Sequence, residues 1–116
     1  MRMDLLCAKL ATLEPSGYVT VANASEFQRQ LTTVVTSQEY SILLVDMNQV
    51  EFLDSAGLMA MVSAFRLAQN LGKRFSICSL APSVRIIFEV TQLDRVFEIF
   101  DSRDTFESSL SQHWAA

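Results

Sequence analysis

The spacing of hydrophobic residues along the chain predicts strands that alternate with helices. Continuous or alternating apolar runs, which are typical of strands, predict five strands at residues 4–13, 18–21, 41–47, 74–80 and 96–100. Hydrophobic residues three and four positions apart predict four helices that begin near residues 23, 55, 82 and 101. This order is typical of an α/β fold in which helices cover a largely parallel sheet.

Turn and capping residues mark the ends of several predicted elements. Pro15 predicts a turn before the second strand, because proline presets φ. Asn23 is followed three residues later by Glu26, which is the pattern of a capping box at the start of the first helix. Gly72 follows the second helix in the position that glycine commonly occupies after a helix C-terminus.

The second predicted helix, residues 55–70, is not patterned like an ordinary surface helix. Two apolar stripes run side by side along it, and Met59 falls on the remaining polar arc with Ser63 and Arg66. An exposed methionine there could be a soft contact for a partner, or a neighbouring loop could cover it, and both interpretations stay open. Residues 48–54, just before this helix, are expected to form a short loop.

Composition limits the classes of function. The 116 residues are expected to form one domain, spanning 1–116, because the chain is long enough to bury a hydrophobic core. The formal net charge of −4 argues against nucleic acid as a direct partner, since phosphate contacts need clustered Lys and Arg. The apolar runs are too short to cross a bilayer, and no signal peptide is evident. We therefore expect a cytoplasmic protein without membrane insertion.

The cysteines and the histidine do not indicate a metal site. Cys7 and Cys78 lie in apolar, strand-like runs, which predicts two reduced thiols in the core. His113 is the only histidine, and it has no cysteine or histidine neighbour at metal-ligand spacing. No metal and no cofactor are expected.

Ser55 lies where the apolar residues 50–53 give way to the second predicted helix. A hydroxyl there lies at the positive end of the helix dipole, where a phosphate can be added and tolerated. Capping could explain Asp54 or Ser55, since both are good N-cap residues. Capping does not explain Gly57, because glycine in a first helical turn costs about 1 kcal/mol relative to alanine. Ala56 and Gly57 are instead expected to leave Ser55 open to a modifying enzyme.

Catalysis is a weaker interpretation of the same serine. A nucleophilic serine needs a base within hydrogen-bond reach, and the G-x-S-x-G pattern of a nucleophile elbow is missing from the sequence. Asp46, Glu51 and Asp54 are close in sequence, but carboxylates in such loops are usually solvated. We expect no enzymatic activity. We expect a phosphorylation switch, in which these carboxylates repel the added phosphate and the new charge acts at a docking surface.

Several separated motifs carry a family resemblance. They are residues 45–47, 50–58, 72–78, 82–85 and 91–99, with Gly17 and Asn23-Ala24 ahead of the first helix. Together they resemble STAS domains, particularly bacterial anti-sigma factor antagonists. The resemblance implies a single STAS domain, with a mixed, largely parallel sheet packed with about four helices.

The resemblance also implies a partner-switching cascade. In such proteins the unphosphorylated form binds an anti-sigma factor that is also a serine kinase. The kinase phosphorylates the serine directly after the motif aspartate, which releases the antagonist, and a serine phosphatase resets it. Carried over by position, the phosphoacceptor is Ser55.

Partner binding is expected at residues around the acceptor. These residues are Asp54, Ala56, Gly57, Met59, Asp46 and Asn23. Ala56 stands where many members have a second serine, which leaves Ser55 as the acceptor. Met59 stands in place of a common glycine, which implies an altered partner surface. Thr20 stands in place of a common acidic residue, so the resemblance does not extend to contacts with a kinase-bound nucleotide.

A second interpretation stays open. STAS subunits that dock on a transporter ATPase in bacterial lipid-transport systems carry a similar motif. The extended match through residues 96–99 favours the antagonist group. Exposed strand edges and Met59 permit a homodimer but do not require one.

Overall fold

Strands and helices alternate along the computed structural model, which describes residues 9–115 and the side chains of residues 9–110. The strands are β1 (Leu10–Leu13), β2 (Ser16–Val19), β3 (Ile42–Asp46), β4 (Gln49–Leu53), β5 (Arg74–Cys78) and β6 (Glu98–Phe100). The helices are α1 (Ala24–Thr36), α2 (Ser55–Asn70), α3 (Pro82–Val90) and α4 (Arg103–Ala115), with a short 3₁₀ helix at Leu93–Arg95. The predicted α/β class is confirmed.

The strands form two sheets. One has four strands in the order β1-β3-β5-β6, and the other pairs β2 with β4. Every pairing among the described strands is parallel, so the prediction of a largely parallel sheet is confirmed. Parallel neighbours need long crossover connections, which the helices supply.

The prediction of a loop at residues 48–54 is wrong, because most of this segment is strand β4. β4 runs beside β2, with Leu53 opposite Val19. Val50 and Leu53 are buried, whereas Glu51 and Phe52 are exposed. The inward and outward positions do not alternate strictly, and β2 is distant in sequence. The pairing that makes this segment a strand is therefore a tertiary contact rather than a local preference.

The four-stranded sheet has a hydrophobic cluster on each face, and β3 contributes to both. All five residues of β3 are buried. Leu43 and Val45 pack in the main core with residues of α1, α2 and α3. Ile42 and Leu44 pack in a smaller cluster with Phe106 of α4. The continuous apolar run therefore predicted correctly a strand covered on both sides.

The helix ends follow local chemistry with one exception. Gly72 has a φ of +72°, as expected after the C-terminus of α2. The capping box predicted at Asn23 is wrong, since its side chain makes no hydrogen bond to the helix N-terminus. The Asn23 amide bonds back to the preceding turn, and the Glu26 carboxylate instead pairs with Arg29, one turn further along α1.

Two predictions concern the cysteines and the histidine. Cys78 is fully buried in the smaller cluster as a free thiol, as predicted. Cys7 and the side chain of His113 lie outside the described residues. Within residues 9–115, no helix is both long enough and apolar enough to span a membrane.

Candidate functional site

Ser55 is the first residue of α2, and it is exposed. The N-cap residue is Asp54, whose Oδ1 accepts a hydrogen bond of 3.0 Å from the backbone N–H of Gly57. Since Asp54 caps the helix, the Ser55 hydroxyl is not needed for capping, and within the described part of the chain it has no side-chain hydrogen bond. The site therefore presents an accessible hydroxyl at the positive end of a sixteen-residue helix.

The other carboxylate oxygen of Asp54 reaches a different segment. Oδ2 accepts a hydrogen bond of 3.0 Å from the backbone N–H of Val21, in the loop between β2 and α1. The backbone N–H of Asp54 donates to the carbonyl of Val19 at 3.1 Å. The pKa of Asp54 lies below its usual value, chiefly because the Gly57 N–H donates to the carboxylate, with the Val21 N–H contributing. Asp54 therefore stays ionised while it joins the two segments.

Gly57 is required by packing. A Cβ atom built on Gly57 would lie 2.8 Å from the carbonyl oxygen of Val19 and 2.6 Å from Cδ1 of Leu53. Gly57 is buried, so the interpretation that it keeps Ser55 open is wrong. Its role is to let the first turn of α2 lie against the end of β2.

Exposed apolar side chains flank the acceptor. Met59, one turn after Ser55, is 55% exposed, so no neighbouring loop of the described chain covers it. Tyr18 and Phe52 are register partners on β2 and β4, with ring centroids 5.9 Å apart, and both are exposed. Val21 is 78% exposed. We call Tyr18, Val21, Phe52, Ser55 and Met59 together the Ser55 surface.

Sequence reasoning missed Tyr18, Val21 and Phe52. The sequence predicts a loop at Phe52, and an aromatic residue in a loop has no defined direction. Once β4 is known to be a strand, its register with β2 sets Phe52 beside Tyr18. The apolar residues at positions 50, 52 and 53 are also compatible with a strand. A strand prediction for residues 49–53 could have indicated this pair.

The sequence around Ser55 holds acidic charges with no basic residue close by in the chain. There is no Lys or Arg between Arg29 and Arg66, whereas Asp54 directly precedes the acceptor and Glu51 lies four residues before it. A phosphate on Ser55 would therefore add charge of the same sign to its immediate neighbours.

Asp46 is not brought to the acceptor. It ends β3, whereas Ser55 follows β4, which belongs to the other sheet. Asp46 is only 9% exposed, and its Oδ2 lies 2.7 Å from the Arg103 guanidinium of α4. Arg103 also contacts the Glu14 carboxylate. The structure therefore contradicts the expectation that Asp46 repels a phosphate on Ser55 together with Asp54.

Asn23 supports the loop beside the acceptor. Its Oδ1 accepts a hydrogen bond of 2.9 Å from the Thr20 N–H, and its Nδ2 donates to the Tyr18 carbonyl at 2.9 Å. The loop of residues 20–23 is thus closed on itself, next to Asp54. Ala56 is half-buried beside Ser55 in the first turn of α2.

Cavities among the described residues are found away from Ser55. Two open cavities, of about 410 and 320 Å³, lie between the β1–β2 turn and α1. Both are lined by Glu14, Pro15, Phe27 and Gln30, and neither is lined by Ser55. The arrangement at Ser55 is an exposed surface, which suits contact with another protein better than enclosure of a small molecule.

Comparison with known proteins finds relatives of similar sequence and a solved structure of similar fold. A relative from Bordetella bronchiseptica, BtrV, is provisionally named an anti-sigma factor antagonist and is 27% identical over 76% of this chain and 75% of its own. A provisionally named antagonist from Thermotoga neapolitana is 26% identical over 78% and 80%. The crystal structure of a protein of the same provisional name from Thermotoga maritima superposes with a TM-score of 0.81 at 22% identity, covering 88% of this chain and 87% of that one.

A family model that matches most of the chain identifies the family. The family model described as the STAS domain matches residues 8–106, which include all six strands and the first three helices. The similar fold of the Thermotoga maritima structure agrees with it. The chain belongs to the STAS domain family.

Proposed function

We propose that the protein is an anti-sigma factor antagonist whose unphosphorylated form binds an anti-sigma factor through the Ser55 surface. Phosphorylation of Ser55 ends that binding. The observation that carries the proposal is the exposed Ser55 hydroxyl at the first position of α2, which capping does not engage because Asp54 is the N-cap. The names of the relatives from Bordetella and Thermotoga support the same role.

The proposed chemistry requires only a nucleophilic hydroxyl from this chain. A serine kinase brings a nucleoside triphosphate, and Ser55 Oγ attacks its γ-phosphorus. The new O–P bond forms as the bond to the nucleoside diphosphate breaks, and the hydroxyl proton passes to a base of the kinase. A serine phosphatase returns the hydroxyl by hydrolysis. The chain itself acts as a binding protein and substrate, not as an enzyme.

The surface explains why a phosphate would end binding. Met59, Phe52 and Val21 offer apolar area that a partner desolvates on contact. A phosphoserine adds about −1.5 to −2 charges to the middle of that area. The sequence near Ser55 supplies carboxylates, at Glu51 and Asp54, and no cation that could compensate the phosphate. Burying the phosphate in the interface is therefore costly.

Phosphate mapping tests the acceptor. The protein is incubated with ATP and the candidate anti-sigma factor kinase of its source organism, and the product is analysed by mass spectrometry. We expect one phosphate on the unaltered protein, none on Ser55→Ala, and one on Ser63→Ala, which alters an exposed serine of the same helix. Phosphate retained on Ser55→Ala would contradict the assignment.

A binding measurement tests the consequence. Ser55→Asp should bind the anti-sigma factor at least about tenfold more weakly than the unmodified protein, because its charge is buried without a counterion. Ser63→Asp carries the same charge change about 12 Å further along α2, at 1.5 Å per residue, and should bind normally. Equal affinity of Ser55→Asp and the unmodified protein would exclude release by charge.

A further inference from the structure

The carboxylate of Asp54 links the acceptor helix to the loop of residues 20–23. Its Oδ1 accepts from the Gly57 N–H in α2, and its Oδ2 accepts from the Val21 N–H in the loop, each at 3.0 Å. Gly57 is three residues from Asp54, whereas Val21 is 33 residues away. One side chain therefore bridges two segments of the Ser55 surface.

The other side-chain bonds of this loop do not reach α2. Asn23 bonds to Thr20 and to Tyr18, and the Thr20 hydroxyl accepts from the Ala22 N–H at 3.3 Å. These bonds keep the loop folded on itself. By contrast, the hydrogen bond from the Val21 N–H to the Asp54 carboxylate connects the folded loop to the start of α2. This bond fixes the position of the loop relative to the helix.

A phosphate on Ser55 competes directly with the Asp54 carboxylate. Both groups would lie at the first turn of α2, where the available donors are backbone N–H groups such as that of Gly57. The phosphate offers three strong acceptor oxygens and the greater charge, and it repels the adjacent carboxylate. The carboxylate is therefore the group that gives way.

We propose that phosphorylation of Ser55 displaces the Asp54 carboxylate from the Val21 N–H as well as from the Gly57 N–H, and so releases the loop of residues 20–23 from α2. The partner then meets a surface altered in shape as well as in charge, because the exposed Val21 side chain moves with the loop. This inference rests on the proposed function, since it takes Ser55 as the acceptor. Asp54 acts in it as a positioning residue.

The Val21 amide reports on the bridge without any partner protein. Protein with phosphoserine incorporated at position 55 during translation is compared with the unmodified protein by ¹H–¹⁵N NMR. We expect the Val21 amide to exchange with water about tenfold faster in the phosphorylated form, the range expected for loss of one charge-assisted hydrogen bond. Phosphoserine at position 63 is the matched control and should leave Val21 unchanged.

Asp54→Ser separates the bridge from capping. Serine is a good N-cap, so its hydroxyl keeps the bond to Gly57, but it has no second oxygen for Val21. We expect the Val21 amide of Asp54→Ser to exchange as fast as that of the phosphorylated protein. Phosphoserine at position 55 should then have no further effect on Val21.

The possible results distinguish this inference from the proposed function. If the Val21 amide exchanges as slowly in the phosphorylated protein as in the unmodified protein, the inference is wrong. This holds even if the phosphate still abolishes binding to the anti-sigma factor. Fast Val21 exchange in a phosphorylated protein that binds the anti-sigma factor normally supports the bridge and overturns the proposed release. A further acceleration of Val21 exchange when Asp54→Ser is phosphorylated also overturns the inference, because the phosphate would then act by another route.

Discussion

The backbone of Gly57 lies so close to Val19 that a Cβ atom on Gly57 would be 2.8 Å from the Val19 carbonyl oxygen. The carbonyl belongs to the end of β2, which is itself paired with β4, so it cannot move away without disturbing the sheet. Together with the Asp54 N–H bond to the same carbonyl, this contact fixes the start of α2 and hence the position of Ser55.

Gly57→Ala should destabilise the fold although alanine favours helices. Overpacking against backbone costs about 1–3 kcal/mol, and the gain in helix propensity is at most about 1 kcal/mol. We expect a net loss of about 1–2 kcal/mol in the free energy of unfolding, measured by urea denaturation. Ser63→Ala, an exposed change in the same helix, should be neutral or slightly stabilising. A stabilised Gly57→Ala would contradict the close contact.

The Asp54 carboxylate should make stability depend on acidity. Its pKa is lowered in the folded state, first by the Gly57 N–H, so it stabilises the fold at pH values above its unfolded pKa of about 4. That contribution is lost as the pH falls through the lower folded pKa. Asp54→Asn should therefore be less stable than the unaltered protein at pH 7, and the difference should shrink on acidification. Urea unfolding between pH 7 and pH 2.5 measures this, and a constant difference would count against it.

Asp46→Ala should weaken folding and leave the switch intact. The substitution removes the Arg103 partner that holds α4 to the end of β3. Because Arg103 is partly exposed and retains Glu14, we expect a loss of only about 1–2 kcal/mol. At a temperature where the variant is folded, phosphorylation of Ser55 and binding of the anti-sigma factor should be unchanged. Weak binding by fully folded Asp46→Ala would restore Asp46 to the partner surface.

Met59→Ala and Phe52→Ala should each weaken binding and leave the protein folded. Truncation of the exposed Met59 should change the free energy of unfolding by no more than about 0.5 kcal/mol, and truncation of Phe52, which also loses its pair with Tyr18, by up to about 1 kcal/mol. Truncating an apolar residue that is central to an interface costs more than about 1 kcal/mol of binding, which calorimetry with the anti-sigma factor measures.

Leu71→Ala is the control for this pair. Leu71 is similarly exposed, but it lies about 24 Å from Ser55 along α2 at 1.5 Å per residue. Its truncation should leave affinity unchanged. If Leu71→Ala weakened binding and the Met59 and Phe52 variants did not, the partner surface would have to be moved to the other end of α2.

Local patterns were sufficient to predict the elements that carry the acceptor. The bounds of α2 follow from its helical period, from Asp54 as a good N-cap, and from Gly72 as a left-handed residue beyond its C-terminus. The burial of β3 on both faces follows from its unbroken apolar run. These features depend on residues close together in the chain, so a single sequence contains them.

Only the tertiary structure decided which residues surround Ser55. β4 is a strand because β2 lies beside it, Gly57 is a glycine because Val19 approaches it, and Asp54 reaches Val21 across 33 residues of chain. For Asp46 the tertiary structure removes a residue from the predicted site. Its nearness in sequence suggests a role at Ser55, but its carboxylate binds Arg103. A sequence determines local geometry through spacing, but close contacts between distant segments depend on how the sheets and helices pack.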